Sequence, residues 1–306
     1  MSETVFYLST KYKSIMKDKL WLLFILITIV TWGIWGAFSD LQMDRDGIPE
    51  TVVYILWAAS MIPCAIVALV INKGKFMFDW KSALLGCTVG LLGAGGQLVL
   101  FKALAIGPAY IIFPFISMSP VIVITLAAIF LKEKANRWQI AGIIVALAAI
   151  LLLSLQSGGD NGPVSGWLWI VLAVLVLLAW GIQGFFMKFA NNSMDAESIF
   201  VWMALSAVVL APVAYYMSGD AASFFAGADV TAKSLKCFGI QSLNSIGALT
   251  LVYAYRYGKA VIVSPMEGLS PMVTVLLSLI ILSVIPTPMQ IAGICCAAFA
   301  MYALSK

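Results

Sequence analysis

Ten stretches of this 306-residue chain are almost wholly apolar and each is near 20 residues long. They run over roughly 20–39, 52–71, 83–105, 109–131, 137–155, 167–188, 199–217, 235–257, 261–284 and 287–304. A helix needs about 20 apolar residues to cross a hydrocarbon core. Membrane-crossing strands are half as long and alternate polar with apolar residues, whereas these runs are continuous. The expected fold class is therefore all-α and integral to a membrane, with ten transmembrane helices. Apolar and aromatic residues make up 62% of the chain and charged residues 10%, against about 45–50% and about 25% in soluble domains. A soluble fold could not hide that much apolar surface, which argues against a soluble enzyme, a nucleic-acid binder or a disordered chain. The first run is too long for a signal-peptide core and has no obvious small-residue cleavage site after it, so it is expected to stay as an anchor.

The charges set an orientation. Of the 18 Lys and Arg residues, fourteen fall in the N-terminal tail, the even-numbered connections and the C-terminus (Lys11, Lys13, Lys17 and Lys19 in the tail alone). The other side has only Arg45, Lys102, Lys233 and Lys236. The positive-inside rule then puts both termini in the cytoplasm. The expected location is the plasma membrane, the inner membrane if the source is bacterial. The net charge of +4 is small and scattered, so no nucleic-acid partner is implied. Histidine is absent, which removes the commonest metal ligand and the neutral-pH proton shuttle. Cys64, Cys87, Cys237, Cys295 and Cys296 show no disulfide or zinc spacing and read as core or lipid-facing residues. No metal and no cofactor is expected. Asn136 with Gln139, and Thr287 with Pro288 and Gln290, read as helix N-caps with a glutamine at N3. The longest connection, about 218–234, reads as an extracytoplasmic loop rich in Gly, Ala and Asp.

The chain also repeats itself. Gln-Ile-Ala-Gly-Ile occurs at 139–143 and at 290–294, an offset of 151. The same offset pairs Gly107 with Gly258, Ala109 with Ala260, Pro114 with Pro265, Ser119 with Ser270 and Pro120 with Pro271. An offset of 148 pairs Trp32-Gly33-Ile34 with Trp180-Gly181-Ile182, and Gly36 with Gly184; an offset of 149 pairs Pro63 with Pro212. Near-constant offsets across several helix pairs argue for a duplication. The expected organisation is a cytoplasmic tail (1–19), a first five-helix repeat (20–157) and a second (158–306). Five is odd, so the second copy enters the membrane from the opposite side. Inverted repeats of this kind are a common carrier construction and imply alternating access rather than an open pore.

Ten spans and a five-plus-five repeat, with Pro120-Val121 and Leu131-Lys132-Glu133 ending the fourth span and Gln139-Ile140-Ala141-Gly142 opening the fifth, resemble the drug/metabolite transporter superfamily, in particular EamA-type carriers. A second, degraded copy stands at Pro271 and 290–293, with Val284 in place of Glu133. Glu133 is therefore read as a cytoplasmic end residue rather than half of a duplicated site. The resemblance implies secondary transport of small metabolites, among them amino acids, sugars, amines and nucleotide-linked compounds, and selects none of them.

Polar residues inside the spans are the candidate substrate-binding groups. Glu267 is the only acidic residue well inside an apolar run, and an ionisable group there is by default a functional candidate for a proton or a cation. The alternative is an end residue paired with Arg256 or Lys259. Pro265 and Pro271 flank it with Gly268, and Pro114 and Pro120 share the same spacing in the fourth span. Prolines and glycines weaken a helix and free carbonyls, so these five residues are candidate gating or broken-helix positions. The two segments are expected to face each other across a central cavity, or else to be kinked only for packing. Trp32, Trp35 and Trp180 lie mid-span beside glycines, where indoles wall a pocket or simply pack. Gln183 replaces Trp35 in the second copy. Gln97, Gln241 and Asn244 are amides in apolar runs that either bind ligand or bridge helices. Tyr110 and Phe113, at the head of the fourth span, either add aromatic walls or sit at the membrane interface, the commoner place for aromatic residues near a span end. Lys102, Lys188 and Arg256 are expected to snorkel to water. With no histidine, no intramembrane carboxylate pair and no phosphate loop, enzyme chemistry has little support; Gly93-Ala94-Gly95-Gly96 reads as helix packing. The expected function is a secondary active carrier of a small polar metabolite, with protons as a candidate coupling ion and the lipid bilayer as its surroundings. The alternatives are a channel-like facilitator and, less favoured, a non-transporting receptor or assembly protein.

Overall fold

The computed structural model describes residues 19–107, 112, 115–154, 167–227, 229–282 and 287–306. Pro114, Tyr110, Phe113, Val284 and the tail before residue 19 lie outside them. Every described element is a helix. In chain order they are α1 (Leu20–Asp46), α2 (Glu50–Ile71), α3 (Trp80–Ile106), α4 (Ser119–Phe130), α5 (Arg137–Ser154), α6 (Leu168–Ala190), α7 (Ala196–Ser218), α8 (Asp220–Phe225), α9 (Val230–Tyr257), α10 (Ala260–Glu267), α11 (Ser270–Leu282) and α12 (Pro288–Leu304).

Among the described residues, seven stretches are long and apolar enough to cross a membrane: Leu20–Phe38, Glu50–Ile71, Trp80–Leu100, Leu168–Ala190, Ala196–Met217, Val230–Tyr257 and Ala260–Leu277, the last passing through both α10 and α11. The fourth, fifth and tenth apolar runs give shorter helices. The 18 residues of α5 and 17 of α12 stand at the short end of the spanning range. The apolar faces that remain exposed (Val70, Val209 and Ile280 among them) are those a lipid solvent accepts.

Local signals fix the helix ends. Asn136 and Gln139 exchange backbone and side-chain hydrogen bonds of 2.9 and 2.8 Å, and Thr287 and Gln290 do the same at 2.8 and 3.2 Å. Each pair satisfies N–H groups the first turn leaves over. The Asp79 side chain caps α3 and that of Asp195 caps α7. α1 ends at Gly47 with φ of 61°, a left-handed position that glycine adopts without strain. The connection expected as a loop over 218–234 instead carries the short helix α8.

Packing is reciprocal. α1 lies against α9 and α11, and α6 lies against α3 and α4, while α2 meets α7 and α5 meets α12. A β-carbon on Gly33 or Gly36 would run into Val273 or Thr274, and one on Gly181 or Gly184 into Ile122 or Val123. Those neighbours are themselves 151 apart. Two chain breaks follow the same rule. Met118 donates to the Phe115 carbonyl and Val121 to Met118; Leu269 donates to Met266 and Met272 to Leu269. These are identical three-residue bonds at an offset of 151, tighter than α-helical spacing. The free cysteines are spread through the helices, with Cys237 buried and Cys295 exposed.

Candidate functional site

The break in the ninth apolar run puts Glu267 at a helix end. α10 stops at Glu267 and α11 restarts at Ser270. Pro265 and Pro271 have no N–H to donate to the carbonyls of Val261 and Glu267, four residues back. A β-carbon on Gly268 would stand 2.6 Å from Ile150 Cδ1 and 3.5 Å from Pro120 Cγ. The glycine therefore makes room for Ile150 of α5, while Pro120 stands at ordinary contact distance, and α10 packs on α4 so that the two breaks adjoin.

Glu267 Oε1 lies 3.5 Å from the Ser264 hydroxyl, the outer limit of a hydrogen bond, and Oε2 is buried with no partner. The Tyr255 hydroxyl faces this carboxyl and Ser264, and it too is buried without a formed hydrogen bond. It stands 3.1 Å from where a β-carbon on Gly184 would be. Neither cation proposed as a partner reaches Glu267. Arg256 donates to the carbonyls of Asn191 and Met194, and Lys259 donates to that of Lys134 at 2.8 Å. In place of either cation, the carboxyl has the Tyr255 and Ser264 hydroxyls as its polar neighbours, with Oε2 itself unbonded. Tyr255 carried no sequence signal, since a tyrosine two residues from a run's end looks interfacial.

A second polar group occupies the seam of α1 with α9. The Trp32 indole covers Gly247 and donates to the Asn244 backbone carbonyl at 3.0 Å. Trp35 donates to Gln241 Oε1 and Trp57 to Asn244 Oδ1, both at 2.9 Å. Ser60 bonds Ser245 at 2.7 Å and Thr28 bonds Thr250 at 2.8 Å. Of the two alternatives for Gln241 and Asn244, their oxygens bridge helices. Trp57 was not anticipated, because its partner lies 187 residues away. The seam of α6 with α3 repeats the plan. Trp180 covers Gly96 and its indole reaches the Gly93 carbonyl at 3.4 Å. Gln183 packs onto Gly93. Gln183 and Gln97 are half-buried, and neither side chain bonds a described residue.

A third group ties the helix ends where α4, α6 and α9 finish. Glu133 Oε2 accepts from the Val261 N–H at 3.1 Å, at the first turn of α10. Burial raises this carboxyl above its ordinary range; the Val261 and Ala260 N–H groups and the Lys188 and Lys259 ammonium groups partly oppose that. Lys188 does not snorkel as expected. It is half-buried and donates to the Tyr255 and Gly258 carbonyls at 2.9 and 2.6 Å, a cation at the C-terminal end of a helix. Arg256 likewise serves carbonyls, while Lys102 is exposed.

The model of the EamA-like transporter family matches the chain twice, over residues 19–155 and 167–306. The chain belongs to that family. It is a transporter and an integral membrane protein, with the usual location of such proteins in the plasma membrane. An uncharacterised protein of Methanocaldococcus jannaschii is 28% identical over 132 residues, which cover 43% of this chain and 94% of that protein. That relative is therefore close to one half of this chain in length. A probable terminal-alkyne amino-acid exporter of Streptantibioticus cattleyicolor is 29% identical over 157 residues, half of each chain. A protein known by its crystal structure matches the fold with a TM-score of 0.71 at 14% identity, over 92% of this chain and 97% of that one.

Proposed function

We propose that this transporter is a ten-span secondary carrier made of two inverted five-helix repeats, residues 20–157 and 158–306, with both termini cytoplasmic. It moves a small polar metabolite, a sugar, amino acid or amine, by alternating access, and it binds a proton at Glu267. The observation that carries the reading is the buried, unpartnered Glu267 oxygen at a helix break. A lone charge there is costly, and a proton or a ligand cation removes that cost. Adjoining breaks at 117–118 and 268–269 supply hinges through which the halves can move against each other.

The reciprocal packing and the family model's two matches support the duplication. The half-length relative supports it too, as a single unit of the same kind. The ion pair of Lys236 with Asp46, at 2.6 Å, supports a topology that puts both on the outer side. The relative named as an amino-acid exporter favours amino acids among the three substrate classes.

Glu267→Gln keeps the shape of the side chain and removes its titration. In proteoliposomes the carrier should lose transport by at least about ten-fold, and the remainder should lose its dependence on pH. A variant with the wild-type rate and pH profile would sink the role of Glu267. A channel-like facilitator would give uptake that does not saturate and is indifferent to solute on the far side.

A further inference from the structure

We propose that the side-chain amides of Gln241 and Asn244 bind an oxygen acceptor on the transported molecule, a carboxylate or carbonyl group. The proposal rests on the carrier reading above and specifies the chemistry at one end of its substrate.

An indole N–H can only donate, and an amide offers one oxygen to accept and one NH₂ to donate. Trp35 is held to Gln241 Oε1 and Trp57 to Asn244 Oδ1. Those bonds fix which way both amides point and use their oxygens. The third indole N–H of the seam, that of Trp32, is taken by the Asn244 backbone carbonyl. The polar groups these two amides leave without any partner among the described residues are therefore their NH₂ groups. Gln241 is 1% exposed and its Nε2 is buried without a partner. Asn244 is only half-buried, and its NH₂ bonds no described residue.

The two residues are three apart on α9, so they share one face of the helix. Asn244 gives access where Gln241 lies deeper. A buried donor with nothing to donate to selects an acceptor, because an ammonium group would leave it unmatched. The other seam adds Gln97 and Gln183, two more amides without hydrogen bonds to described residues, each with both a donor and an acceptor to offer. Gln241, Asn244 and the three indoles bring no carboxylate. A cation in this seam would meet only the ring faces.

The test uses the purified full chain and its thermal stability with millimolar probes. The probes are alanine, threonine and methionine, each set against the amine of the same side chain lacking the carboxyl group. Gln241→Glu keeps an acceptor for Trp35 and replaces the free donor with an acceptor. Gln241→Met removes the donor at every pH. We expect at least one acid to raise the Tm of the wild type while its amine does not. Both variants should bind that acid at least about ten-fold more weakly, the factor of one lost hydrogen bond. A ligand-free Tm close to that of the wild type in at least one variant shows that the loss is local.

Stabilisation by amines alone, with tighter amine binding in Gln241→Glu, overturns the proposal in favour of a cation site. Unchanged acid binding in both variants overturns it too, as does a wild type that responds to none of the acids. The carrier reading fails on a different result: wild-type proteoliposomes that show no counterflow with any acid, amine or sugar.

Discussion

The seams of α1 on α9 and of α6 on α3 are built alike and furnished differently. In each, an indole covers a glycine, Trp32 on Gly247 and Trp180 on Gly96, and reaches a carbonyl one turn earlier, at Asn244 and Gly93. That much is scaffold, and it depends on backbone approach that only glycine permits. The side chains around it diverge. Asn244 stands where the other seam has Gly93, and Trp35 where it has Gln183. The first seam is bolted by two more indole-to-amide bonds, whereas the second leaves its amides unbonded to described residues. Two seams with the same scaffold can thus hold unlike side chains, and under the carrier reading proposed above the unlike positions are where substrate selectivity would arise.

Substitution of the glycines breaks the shared part first. A β-carbon on Gly247 would lie 2.3 Å from Trp32 Cδ1, one on Gly96 would lie 2.7 Å from Trp180 Nε1, and one on Gly95 would meet nothing within 4 Å. Gly247→Ala should lower stability by about 1–3 kcal/mol, Gly96→Ala by less, and Gly95→Ala should be neutral or stabilising by up to about 1 kcal/mol. Thermal unfolding in detergent checks the order. A reversed order would mean that the indole over Gly247 is free to move aside.

The bolts come next. Trp35→Phe strands Gln241 Oε1 in a buried place, a loss of about 1–3 kcal/mol. Trp180→Phe gives up only a 3.4 Å contact to a backbone carbonyl. Both lose ring volume, so the difference between the two variants isolates the bond, and we expect it to be near 1 kcal/mol. Equal losses would remove the distinction between the seams.

The smallest effect concerns Glu133, outside both seams. Its carboxyl lies above the ordinary value of 4.5 in the folded protein. The folded state therefore holds the proton to higher pH than the unfolded chain does. The resulting stabilisation is complete below 4.5 and is lost as pH rises through the folded value. Glu133→Gln should flatten that slope and change stability near pH 7 by less than about 1 kcal/mol, because Gln still offers an oxygen to Val261. An unaltered slope of stability against pH would assign the titration elsewhere.

Much of the frame could be read from residue order because it is written in local terms. Apolar runs, the caps at Asn136 and Thr287, and the Pro-Gly-Pro punctuation around Glu267 each act within a few residues. Glu267 stood out for the same reason, as a lone carboxylate in an apolar run. What could not be read is pairing across the fold. Trp57 meets Asn244, Tyr255 meets Glu267 from the end of a different helix, and Lys188 caps carbonyls 67 and 70 residues away. Lys188 was expected to snorkel because a lysine near a span end has that option. It caps instead because the open C-terminal end of α9 lies within its reach. The fifth and tenth runs are helical over nearly their whole length and are short because the runs themselves are short, while part of the fourth run lies outside the described residues.

Counterflow into proteoliposomes bears most directly on the carrier reading. Vesicles preloaded with an unlabelled amino acid should take up the labelled compound faster than empty vesicles, with saturation, and a pH gradient should drive net uptake that Glu267→Gln abolishes. Uptake that rises linearly with concentration, ignores the internal solute and is the same in Glu267→Gln would contradict alternating access and leave an open pathway in its place.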